Sequence, residues 1–167
     1  MRIAHLNLAL VGLVGLLALA AFLWSTPGLD TGTPVTRLDP AAVSEVRIER
    51  PGVAVQAFER LPDGWRMTAP QSAAADAERL DRLVQIAAAP SHRRLPAEAV
   101  DAAELGLAPP AITLILDHTR LELGDTEPVN RRRYLRVGRQ VHLIDDRFAH
   151  LLWGAPRSLV AAPDAPP

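Results

Sequence analysis

The chain has 167 residues and a formal net charge of −1, so no global field draws it to nucleic acid or another polyanion. It contains no Cys, which excludes a disulfide framework, a thiolate nucleophile and Cys-ligated zinc. Its side-chain cations, histidine aside, are all Arg, which excludes phosphate-loop lysines and Schiff-base chemistry.

The first expected element is apolar. Leu8 to Trp24 reads LALVGLVGLLALAAFLW, without a charge. As a helix it spans about 26 Å, and about 33 Å when extended back to Ile3. Leu, Val and Phe each favour central insertion by roughly 0.3–0.6 kcal/mol, and Trp24 suits the far interface. Residues 1–24 are therefore read as a membrane anchor, with residues 3–24 in contact with the lipid bilayer. Arg2 precedes the run and Asp30 is the first charge after it, which places the N-terminus in the cytoplasm and the rest outside. The competing reading is a cleaved signal, with Ala18-Leu19-Ala20 as the small-x-small site. The anchor is preferred because the run stays apolar through Ala21, Phe22, Leu23 and Trp24.

Residues 25–40 (STPGLDTGTPVTRLDP) are rich in Pro and Gly and are expected to form an extended linker. Residues 41–154 are expected to form one exported domain. Val46 and Ile48 alternate with Glu45, Arg47 and Glu49, the period of a half-buried strand. Pro51-Gly52 then leads into a strand from Val53 to Arg60, and Pro62-Asp63-Gly64 into Trp65–Thr68. A helix capped by Ser72 follows, with Leu80, Leu83, Val84 and Ala87 on one stripe and Glu78–Arg82 as a surface pair. Ala97 to Leu105 reads as a short helix ended by Gly106. Ile112–Leu116 and Leu121–Leu123 form a hairpin across Asp117-His118-Thr119. Tyr134–Val137 and Val141–Ile144 form another across Gly138-Arg139-Gln140. Asp145 or Asp146 caps a last helix carrying Phe148, Leu151 and Leu152, and residues 155–167 are a disordered tail. The fold class is α+β: antiparallel hairpins and meanders covered by two or three short helices, with a loose internal repeat.

Several segments together resemble a known family. They are Gly64-Trp65-Arg66-Met67-Thr68-Ala69-Pro70, then GLAPPAITLIL from Gly106, then LELGDTEPVNRRRYLRV and VHLID. In this order and spacing the chain resembles the domain-of-unknown-function family 4340, from about Leu38 to Trp153. The resemblance implies a membrane-anchored bacterial protein; with the apolar run this places it in the inner membrane as a single pass, its domain periplasmic or otherwise extracytoplasmic. It also implies an accessory role like that of gliding-motility-type ABC transporter auxiliary proteins. It implies no catalytic residue.

Candidate site residues are few. Asp145 and Asp146 with His142 and His150 are metal-type ligands, but their spacing lacks the paired histidines of a metalloprotease helix. Asp117-His118 at a hairpin tip and Thr119 lack an organised base. No catalytic, cofactor-binding or metal residue is therefore assigned. Arg131, Arg132 and Arg133 are the densest charge and the candidate partner contact, since guanidinium forks grip anionic groups. Arg93-Arg94 is a weaker case. No aromatic interleaving or groove-reading helix accompanies them, so nucleic acid is not an expected partner. The reading is a membrane-tethered, non-enzymatic accessory module of an ABC-type transporter or another envelope complex. The alternative is an envelope ligand-binding domain for a cell-wall or lipid fragment.

Overall fold

A computed structural model describes residues 32–154 and 159–161; the expected anchor at residues 1–24 lies outside them. Among the described residues no helix is long and apolar enough to cross a membrane.

Alternation in the first half builds a meander. In β1 (Glu45–Arg50) Val46 and Ile48 are buried while Glu45 and Arg47 are exposed. β2 (Val53–Leu61) folds back with Phe58 opposite Val46, and β3 (Gly64–Ala69) returns with Met67 opposite Phe58. The two residues of β4 (Ala73–Ala74) pair with β3. This last pairing moves the helix start. Ala75 N–H bonds the Trp65 carbonyl at 3.0 Å, so the chain turns only at Asp76. Asp76, not Ser72, caps α1 (Ala77–Val84), its carboxylate accepting the Arg79 N–H at 3.0 Å. The predicted stripe holds: Leu80, Leu83, Val84 and Ala87 are all buried, each large apolar side chain contributing about 1.5–3 kcal/mol. Glu78 and Arg82 pair at 3.3 Å. A 3-10 turn (Gln85–Ala88) continues the helix and buries Ile86.

The connection to the second half departs from expectation. β5 (Arg93–Pro96), which carries no apolar alternation, pairs with residues Gln140–Ile144 at the far end of the sheet. The expected helix from Ala97 to Leu105 is only a 3-10 turn (Ala97–Ala99) followed by irregular turns. Asp101 accepts the Ala103 N–H at 2.8 Å, a local bond that competes with helix. The segment then crosses the sheet, with Leu107 buried beneath it and the Leu105 carbonyl taking the Asp125 N–H at 2.9 Å.

Both predicted hairpins form, each with a two-residue turn. β6 (Ile112–Leu116) and β7 (Thr119–Thr126) turn at Asp117-His118; β8 (Arg133–Val137) and β9 (Gln140–Ile144) turn at Gly138-Arg139. A 3-10 turn (Asp146–Phe148) leads into α2 (Ala149–Leu152), which buries Leu151 and Leu152.

The strands make one nine-stranded antiparallel sheet in the order β4-β3-β2-β1-β6-β7-β8-β9-β5. Apart from β5 at one edge, the order is symmetric about the β1–β6 pair, each half running four strands outward and then into a helix. The architecture is α+β. α1, the following 3-10 turn and α2 cover the inner face, where Phe58, Trp65, Leu114, Leu121, Leu135 and Phe148 join the helix residues in one core. The outer face carries Glu49, Arg120, Glu122 and Arg136 as an ion-paired row. Val141 and Leu143, on the same face as Arg136, are also buried.

Two boundaries shift. Residues from Thr33 onward, expected to be linker, are bonded to the domain, with Val35 buried. Within the expected tail, Leu159 is buried and Ala161 N–H bonds the Ala74 carbonyl at 3.0 Å. In both stretches apolar side chains, Val35 with Leu38 and Leu159 with Val160, pack against the core.

Candidate functional site

The three consecutive arginines separate by role. Thr126 and Arg133 close the β7–β8 connection, and Glu127 tightens it by donating its N–H to the Arg132 carbonyl (2.7 Å) and accepting the Arg131 N–H (3.0 Å). Arg131 adopts φ 55°, a left-handed conformation uncommon outside Gly. At the tip Val129 is 82% exposed. Arg131 is exposed and Arg132 half-buried; neither has an ion-pair partner among the described residues. Arg133 is different. Its guanidinium holds Asp146 through two bonds, reaches the Gly124 carbonyl at 2.6 Å, and stacks 4.1 Å from the Trp153 ring centroid. Its side chain is 12% exposed. Arg133 is thus the loop's anchor, and the contact expected of all three falls to Arg131 and Arg132.

The metal-type ligands are divided among separate partners. Asp146 serves Arg133, and Asp145 pairs with His92 Nε2 at 2.8 Å instead of capping the turn after it. His142 is buried against Ser91, and His150 is exposed. Among the described residues no group of three or more His, Cys, Asp or Glu side chains converges.

Asp117 works as a hairpin clasp. Its carboxylate accepts the Ser44 N–H (3.0 Å), the Ser44 hydroxyl (3.0 Å) and the Glu45 N–H (2.9 Å). Burial pushes its pKa up, but these bonds outweigh burial and hold it below the ordinary 3.8. Glu122 behaves alike: burial raises it, and the Arg136 and Arg120 guanidiniums bring it lower than usual. Both carboxylates are stabilised as anions, which weakens them as general bases.

A second feature is a hollow of about 700 Å³ between the Thr33–Leu38 strap and the inner face of β8, β9 and β5. The strap is held by Val35 N–H to Ala89 O (3.0 Å), Thr36 N–H to Ala87 O (3.2 Å) and Ser91 N–H to Thr33 O (3.0 Å). Arg37 lines one wall, Arg94 and Gln140 the other, with His142 also lining the hollow. Ser91 Oγ donates to the Arg93 carbonyl at 3.0 Å, so it accepts from His142 Nδ1–H, also at 3.0 Å, fixing the proton on that nitrogen. Sequence reasoning missed this hollow because it assigned the strap to a free linker. The available signal was Val35 and Leu38 punctuating an otherwise polar stretch.

A family model described as a domain of unknown function (DUF4340) matches residues 65–159, more than half of the chain. The chain belongs to that family. Searches of the curated proteins and of the solved structures find no match. The DUF4340 match begins at Trp65, which is 5% exposed and ties β3 to α1 by donating Nε1–H to Asp81 at 2.9 Å. Arg60 lies 4.4 Å over the same ring. The glycines of the DUF4340-like motifs sit together, Gly106 in the crossing segment and Gly124 in the strand beneath it. A Cβ on Gly124 would lie 2.2 Å from the Leu105 carbonyl oxygen, so this Gly makes room for the crossing.

Proposed function

We propose that this DUF4340 protein is a membrane-tethered, non-enzymatic accessory module of an envelope assembly, an ABC-type transporter foremost, and that the β7–β8 loop contacts its partner. The observation that carries the reading is the loop itself. An apolar tip at Val129 stands beside two cations, Arg131 and Arg132, on a base pinned by Arg133 to Asp146, Gly124 and Trp153. A loop fixed in shape before binding loses less conformational entropy on docking, and Arg is enriched at interfaces and among their hot spots. The apolar run from Leu8 to Trp24 supports a single-pass anchor in a bacterial inner membrane, with the N-terminus cytoplasmic and the domain outside. Such a tether raises the domain's effective concentration near membrane partners. The transporter class comes from the resemblance of the sequence motifs to auxiliary components.

The test is co-purification of the full-length protein from gently solubilised native membranes, beside a variant carrying Arg131→Ala and Arg132→Ala with Arg133 kept. A stoichiometric transport subunit that is lost in the variant supports the reading. A protein that elutes alone refutes it.

A further inference from the structure

The two ends of the sheet differ in character. Pairing sets Arg50 opposite Val53, Glu49 opposite Thr113, Ile112 opposite Leu123, and Arg133 opposite both Thr126 and Ile144. The β1–β2 turn, the β7–β8 loop and the exit from β9 therefore share one end. Among the described residues the exposed large apolar side chains are Val53, Val55, Val129 and Trp153, and all lie at this end or within the strand residues next to it. Trp153 stands between the two halves. The Arg133 guanidinium stacks on its ring, and Arg50 Nη1 donates to the Leu152 and Gly154 carbonyls on either side of it, at 3.1 and 3.2 Å. The opposite end is acidic: Glu45 faces Glu59 across strands beside Asp117, and Asp63 is exposed in the β2–β3 turn.

The chain also enters the domain at the apolar end. The Thr33 carbonyl accepts the Ser91 N–H at 3.0 Å, and the next residue, His92, pairs with Asp145 just past β9. From there the strap runs to the acidic end, where the Ser44 N–H meets Asp117. Thr33 follows Trp24 by nine residue steps, so covalent geometry keeps it within about 32 Å of that residue.

We infer that the apolar end rests on the phospholipid surface of the membrane that holds the anchor, with Val129 and Trp153 at the interface and Arg131 and Arg132 on headgroup phosphates. An indole suits that boundary because its apolar body and its N–H both find partners there. Guanidinium forks match phosphate oxygens, and neither arginine has an ion-pair partner among the described residues. The neighbouring carboxylates are turned elsewhere: Glu127 accepts from Asn130 Nδ2 at 3.4 Å, and Asp125 lies against Gly106. Exposed apolar patches mark contacts with proteins or with membranes. The entry of the chain at this end decides for the membrane, because a short tether presents that end to the bilayer. The inference deepens the reading above and rests on its anchor, not on its transporter: the loop meets any partner at headgroup level.

The chain has no Cys, so a single introduced one takes a nitroxide label at a unique position. Full-length protein labelled at Val129→Cys, Arg139→Cys or Leu16→Cys is reconstituted in nanodiscs of phosphatidylcholine with phosphatidylglycerol. Collision of each label with oxygen, which partitions into lipid, is compared with collision with a water-soluble nickel chelate. The expected result is a Val129→Cys label shielded from nickel several-fold relative to Arg139→Cys at the opposite end. Adding Arg131→Glu and Arg132→Glu restores its nickel access, and an unchanged urea midpoint shows that these surface changes leave the fold intact. Equal nickel access at Val129→Cys and Arg139→Cys, with Leu16→Cys shielded, overturns the inference and leaves the anchor standing. Nickel access at all three positions removes the anchor and the inference together. Shielding of Val129→Cys in native membrane vesicles but not in nanodiscs assigns the surface to a protein partner, which also overturns the inference.

Discussion

Replacing Gly124 with Ala tests the crossing segment directly. The added Cβ would meet the Leu105 carbonyl oxygen at 2.2 Å and the Leu107 side chain at 3.0 Å. A normal contact requires the two backbones to part by about 1 Å, against a core packed like a crystal. Overpacking of this kind costs about 1–3 kcal/mol. The Asp125 N–H to Leu105 O bond at 2.9 Å sits beside the clash, and its loss adds about 0.5–1.5 kcal/mol. Reduced freedom of the unfolded chain returns about 0.4–1 kcal/mol. The net expectation is a destabilisation of roughly 2–3 kcal/mol, a large share of a typical 5–15 kcal/mol. Gly138→Ala is the control, because that turn glycine has φ 56° and no atom within 4 Å of a built Cβ. Its loss is conformational only, about 0.5–1 kcal/mol after the same unfolded-state gain. Urea unfolding of the full-length protein in detergent, read as midpoint shifts at constant slope, measures both. A Gly124→Ala loss below about 1 kcal/mol, or one equal to that of Gly138→Ala, would refute the close crossing of Leu105 over β7.

Two further outcomes follow from the ion pairs and the clasp. Arg133→Ala removes the anchor of the β7–β8 loop and leaves Asp146 and the Gly124 carbonyl short of a donor, so it lowers stability by about 2–3 kcal/mol. Arg131→Ala changes stability by less than about 0.5 kcal/mol; equal effects in thermal unfolding would contradict the division of roles. Asp117→Asn keeps the turn conformation but replaces charge-assisted bonds with neutral ones, a loss of about 1 kcal/mol at pH 7. Because the folded pKa of Asp117 lies below the ordinary 3.8, the carboxylate's contribution is present above that value. It fades as pH falls through the folded pKa. The gap between wild type and Asp117→Asn therefore closes in acid, and a gap independent of pH in urea midpoints measured from pH 7 to 2.5 would rule out the clasp as its source.

The local elements were largely legible in the chain. Alternation at Val46 and Ile48, the stripe of Leu80, Leu83, Val84 and Ala87, and the turn residues Pro51-Gly52, Asp117-His118 and Gly138-Arg139 each express a constraint between near neighbours. Side-chain period and turn geometry are set within a few residues, so the sequence carries them openly. The family motifs were legible too, as a recurrent order of such signals. What tertiary structure decided was which distant segments meet. β5 is a strand because β9 offers it an unpaired edge, and the stretch after Ala97 stays non-helical because it must cross Gly124. Arg133 turns inward because Asp146 and Trp153 await it, while its two neighbours stay outward. The strap at Thr33–Leu38 leaves its expected linker state because Ala87 and Ala89 present carbonyls beside a gap that Val35 fills. Each of these depends on partners 13 or more residues away, and no local pattern encodes a partner's position in space.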